Sequence, residues 1–147
     1  MRNGYCLIVW LLLLIPGPVL AQETVLNITI DILEPSEQPG GMGPGLRYLE
    51  AEMKRSPLKY QSYQELASAF REIPVGEKET VTFKLRQYLK IVIIPNKVEE
   101  RMVRFSLKLW SGDRLILDTE LSLVRQGTVM IGSPGKPNLI IAISEGF

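Results

Sequence analysis

The sequence predicts a mainly β domain, an antiparallel β-sandwich or curved sheet of about seven strands with one or two short helices inserted after the first strand. Three observations predict it. Apolar and polar residues alternate with period two along most of the chain. Short turn-forming clusters separate these runs, which favours antiparallel neighbours. Only one region, directly after the first alternating run, changes to helical spacing.

The chain opens with Arg2, the apolar run Tyr5–Ile15, the helix-breaking Pro16-Gly17-Pro18 and a small residue at Ala21. This is the layout of a secretory signal peptide over residues 1–21. A membrane anchor would need about 20 uninterrupted apolar residues, and the Pro-Gly-Pro ends this run too early. Residues 22–147 then form a single β-rich domain. Losing Arg2 brings the 17 basic side chains level with the 16 acidic ones. A nucleic-acid binder would show a basic excess, so that class is set aside. The charges are also interspersed along the chain, without the polybasic block that would mark an anionic-lipid contact.

The first strand is TVLNITIDIL. Leu26, Ile28, Ile30 and Ile32 share one face, and Asn27, Thr29 and Asp31 the other. Residues 34–45, rich in glycine and proline, read as a flexible loop. Leu46, Leu49 and Met53 then follow helical spacing up to Ser56-Pro57. SYQELASAF is expected to form a second helix, because Ser62 and Glu65 have capping-box spacing, although Tyr60 and Tyr63 also suit a strand.

From Pro74 onward the pattern is β. TVTFKL directs Val81, Phe83 and Leu85 inward, and YLKIVII is apolar enough for a central strand. Pro95-Asn96-Lys97 is expected to turn the chain. RMVRFSLKLW buries Val103, Phe105, Leu107 and Leu109, and Ser111-Gly112-Asp113 turns. RLILDTELSLV is expected to direct Leu115, Leu117, Thr119, Leu121 and Leu123 inward, and Arg125-Gln126-Gly127 turns again. TVMIG and LIIAIS close the chain as a hairpin around a Gly/Pro-rich loop.

The chemistry is bounded by what is missing. There is no histidine, which excludes imidazole acid–base catalysis, His-ligated metals and Ser-His triads. The only cysteine, Cys6, lies in the expected signal peptide, so residues 22–147 hold no disulfide and no thiol nucleophile. A thiol-free exported domain fits a bacterial envelope. Asp118 and Glu120 share one outer strand face, with Asp113 in a turn, a pattern read as a solvated face rather than a glycosidase pair. GSPGKP has Ser133 and Lys136 but lacks the glycine spacing and following helix of a phosphate loop, so it reads as a hairpin loop. Trp110 is read as a cap on the core, with an exposed binding aromatic as the alternative.

The stretch LILDTELSLVRQGTVMIGSPGKPNLIIAIS resembles the C-terminal region of small exported bacterial envelope proteins of unassigned function, as does the earlier YQSYQEL. GTVMIG is also similar to the glycine-flanked strand near the end of outer-membrane secretin channels. Secretins are far longer, and no pore function is carried over. These resemblances imply a periplasmic or extracellular protein and supply no catalytic residue.

The expected function is therefore non-enzymatic: an exported domain acting through protein–protein contacts, or self-association, in a bacterial envelope or extracellular assembly. The alternative is a periplasmic module that binds a small ligand or a glycan. No catalytic, cofactor-binding or metal-binding residue is assigned, and no cofactor is expected. The candidate interaction strand is the first one, with Leu26, Ile28, Ile30 and Ile32, docking either within its own domain or onto another chain.

Overall fold

The computed structural model describes residues 22–55, 60, 62–133 and 138–146. The expected signal peptide, Ser56-Pro57 and Lys136 lie outside them. Among the described residues nine strands form two sheets. The strands are β1 (Val25–Ser36), β2 (Gly41–Met42), β3 (Ser62–Pro74), β4 (Glu79–Lys84), β5 (Tyr88–Val98), β6 (Met102–Ser111), β7 (Arg114–Val124), β8 (Thr128–Ser133) and β9 (Leu139–Glu145). One sheet has the order β2-β3-β1-β9-β8, and the other is the meander β4-β5-β6-β7. Every pairing is antiparallel except the two-residue contact of β2 with β3.

The alternation seen in the sequence becomes one core between the sheets. Leu26, Ile28, Ile30, Ile32, Ile73, Ile141 and Ile143 of the five-stranded sheet pack on Val81, Phe83, Ile91, Ile93, Val103, Phe105, Leu107 and Leu109 of the meander. Removing these apolar surfaces from water is the main force holding the sheets together. The five-stranded sheet carries a second apolar layer on its outer face. A 3-10 turn (Pro44–Leu49) runs into the short helix α1 (Glu50–Arg55) and places Leu46, Leu49 and Met53 over Leu33, Tyr63, Ile140 and Ala142.

Four details differ from the sequence reading. SYQELASAF is the first part of β3, not a helix, because pairing with β1 over Val25–Ser36 buries more than an isolated helical turn could. Of residues 34–45, Glu34–Ser36 extend β1 and Gly41–Met42 form β2. Pro95-Asn96-Lys97 does not turn the chain. Asn96 is an extra residue in β5, opposite the step from Phe105 to Arg104, and its side-chain amide donates to the Ser106 hydroxyl at 2.7 Å. Such a bulge is how a strand accommodates proline. In β7 a second extra residue, Ile116, shifts the register, so that Leu109 faces Leu117 but Trp110 faces Leu115. Ile116 then packs on the core and Leu115 turns outward, 41% exposed.

Candidate functional site

The expected interaction strand, β1, is the middle strand of its sheet. It pairs with β3 on one side and β9 on the other. Leu26, Ile28, Ile30 and Ile32 are at most 1% exposed and lie in the inter-sheet core. β1 therefore docks within its own chain, and these four side chains present nothing to a partner in this form. Surfaces for contact have to be sought at the sheet edges and outer faces.

The two sides of the sandwich, where the chain passes from one sheet to the other, differ. On the β3/β4 side, Arg71 Nε donates to Glu79 Oε1 at 3.2 Å, and Arg71 Nη1 caps the Phe70 carbonyl at 2.7 Å. β2 covers Ser62 and Tyr63, and Leu66 forms a bulge where Ile32 pairs with Ala67 but Leu33 with Glu65. Charge and bulges are the usual protections of a strand edge. Behind them Val81 and Phe83 are buried.

The β7/β8 side is built otherwise. β8, TVMIGS, holds no charged residue and no proline, and among the described residues it pairs with β9 alone. Its inward Val129 and Ile131 are only half-buried, as are Ile116, Leu117 and Leu121 of β7, and all five pack on the core. The core thus reaches the surface along this side. One end is fastened. Glu145 is 3% exposed and accepts from Arg125 Nε at 3.2 Å to each oxygen, from Arg125 Nη2 at 3.1 Å, and from the Gln126 N–H at 2.7 Å. Gln126 is held at a φ of 57°, an unfavourable conformation for a residue with a side chain. The carboxylate thus stabilises the turn that joins the two sheets.

The other end of this side carries the closing hairpin. Gly132 pairs with Ile140 and Ser133 with Leu139, which makes β8 and β9 the antiparallel hairpin expected around GSPGKP. Beside it Pro35, Tyr60, Gly132, Ser133, Asn138, Leu139 and Ile140 line a hollow of about 260 Å³. That is below the volume usual for small-molecule sites.

The remaining sequence candidates separate in space. Asp118 lies on the outer face of the meander and forms an ion pair with Lys108 at 3.2 Å, while Asp113 sits in the turn after β6. No group of three or more acidic, histidine or cysteine side chains able to hold a metal occurs among the described residues. Trp110 does not cap the core. Leu109 takes the inward position, and Trp110 lies half-buried on the outer face with Lys90 Nζ 4.6 Å from its ring centroid.

One functional group was missed in the sequence. Asp31, placed on the polar face of β1, is 3% exposed. The Ser68 hydroxyl donates to its Oδ1 at 2.6 Å, and among the described residues its Oδ2 has no hydrogen-bond partner. Burial raises its pKa above the ordinary 3.8, against the opposing effect of Ser68. The signal was the apolar Leu33 two residues on, which shows that this face is covered beyond Thr29.

Comparison with known proteins gives no match to a family model, a curated protein or a solved structure.

Proposed function

We propose that this chain is a non-enzymatic exported domain that works through protein–protein contact in a bacterial envelope or extracellular assembly, and that β8 is the edge that receives the partner. The observation that carries this reading is the contrast between the protected β3/β4 side and the half-open β7/β8 side, whose edge strand β8 has no charged residue. An extended segment added beside β8 would satisfy the main-chain groups of the edge that no described strand pairs. Its apolar side chains would cover Val129, Ile131, Leu117 and Leu121. The hollow beside the hairpin supports the alternative, a small-ligand or glycan module, less well because it is small.

Photocrosslinkers placed at Met130 of β8 and, as a control, at Thr82 of β4 test the reading in the native envelope. Adducts are expected from Met130 and not from Thr82. Val129→Lys, an inward-pointing charge of the kind that natural edges use against added strands, should abolish the Met130 adducts while the domain stays folded. Equal adducts from both positions, or adducts that survive Val129→Lys, would refute it.

A further inference from the structure

The sequence has no polybasic block, yet the fold gathers one. Thr82, Lys90, Trp110 and Leu115 stand side by side as one row across all four strands of the meander, on its outer face. Lys84 and Tyr88 form the next row toward the end of the sheet. Arg86 lies in the turn between β4 and β5, and Arg114 directly follows the turn between β6 and β7. Lys84, Arg86 and Lys90 lie close together in the sequence, at residues 84–90, and the pairing of the meander brings Arg114 beside them.

None of Lys84, Arg86, Lys90 and Arg114 belongs to an ion pair among the described residues. Elsewhere on the same sheet Lys97 and Arg104 share the Glu99 carboxylate, and Lys108 pairs with Asp118. Among the unpaired cations stand two exposed apolar side chains, Tyr88 at 60% and Leu115 at 41%. Both lie beside turns at the same end of the sandwich, and those turns are tied together. The Gly112 N–H donates to the Tyr88 carbonyl at 2.8 Å, and the Ser111 hydroxyl donates to Gln87 Oε1 at 2.8 Å. The surface is thus preorganised.

We propose that this end of the meander is a peripheral contact for an anionic lipid surface. Lys84, Arg86, Lys90 and Arg114 meet lipid phosphates, while Tyr88 and Leu115 enter the interfacial region, the positions that aromatic and basic side chains prefer at a bilayer. A sugar is a poorer fit, because Lys90 already occupies one face of the Trp110 ring. An acidic protein segment would use the cations but give Tyr88 and Leu115, on an end built of turns, no groove to fill. The contact does not depend on β8.

The test uses protein recovered after export and vesicles of phosphatidylcholine, alone or with an equal part of phosphatidylglycerol. Trp110 is the only tryptophan outside the expected signal peptide, so its emission reports on this face directly. Binding to the phosphatidylglycerol vesicles, a blue shift of Trp110 and loss of both at high salt are expected. Each cation near the surface contributes about fivefold, so a Lys84→Gln, Arg86→Gln, Lys90→Gln variant should bind about a hundredfold more weakly. Tyr88→Ser should weaken binding without altering its salt dependence, and Lys97→Gln and Val129→Lys should bind as the parent does. Absence of vesicle binding overturns the proposal, as does equal binding to neutral vesicles. A Trp110 shift with polyglutamate but not with vesicles overturns it in favour of an acidic protein partner.

Discussion

The β3/β4 and β7/β8 sides of this sandwich solve the same problem in opposite ways. Each is a place where the chain leaves one sheet for the other, and each exposes a strand edge. On the first, a single arginine closes the gap between the sheets through Glu79 and covers a main-chain oxygen at the edge. On the second, the ion pair sits at the turn and protects the corner, while the edge beyond it stays uncharged. An ion pair's position, more than its presence, decides whether an edge is open.

Removing each acid–base link in turn should affect the two sides unequally. Glu145→Ala should cost about 3 kcal/mol, because it removes charge-assisted hydrogen bonds from a buried carboxylate and leaves the strained Gln126 turn unsupported. Arg71→Ala should cost under about 1 kcal/mol, since both partners are more than a third exposed or close to it. Its larger consequence should be a rise in solution mass as the β3 edge is bared. Urea titration and sedimentation read the two effects, and equal losses of stability would show that the sides are not distinct.

Asp31 offers a control that belongs to neither side. Its folded pKa is raised, so the folded state binds this proton more tightly than the unfolded chain does. Well below pH 3.8 the group is protonated in both states and costs nothing. As pH rises through 3.8 and then through the higher folded value, ionisation lowers stability, and the loss is complete above it. Asp31→Asn should therefore stabilise the protein at pH 7 and have little effect at pH 2. Thermal unfolding at both values checks this, and a variant that is less stable at pH 7 would contradict it.

The smallest effect is expected at the closing hairpin. Replacing Ser133 and Lys136 together with alanine should change stability by no more than about 0.5 kcal/mol. It should also leave crosslinking from Met130 unchanged. Loss of those adducts in a protein of unaltered stability would move the functional centre to the loop.

Much of this fold was legible because alternation is a local signal. Val103 to Leu109 and Leu26 to Ile32 are buried as their period requires. The same period already set Trp110 outward, one step beyond Leu109, so the core-cap reading went against its own pattern. Two misses arose from single extra residues. Ile116 reversed Leu115, and Asn96 absorbed Pro95, and neither bulge leaves a trace in hydropathy. β3 was misread because Ser62 and Glu65 satisfy a helix-start pattern, whereas its conformation is set by β1, more than thirty residues earlier for most pairs. The candidate surfaces were the least legible. An edge is defined by the neighbour it lacks, and although Lys84, Arg86 and Lys90 are close in the sequence, Arg114 joins them only after β5, β6 and β7 have paired.

The placement of β1 also sets an order of events. The meander β4-β5-β6-β7 is made of neighbours in sequence, so it can form as soon as those residues are available. β1 precedes the meander, but one of its two partners, β9, follows it, as the pairing of Ile30 with Ile143 shows. Until β9 is available β1 is paired with β3 alone. The five-stranded sheet is therefore completed only when β8 and β9 are available. A chain stalled or clipped before Leu139 would therefore keep an intact meander and an unfinished sheet, the form in which a holding chaperone would meet it.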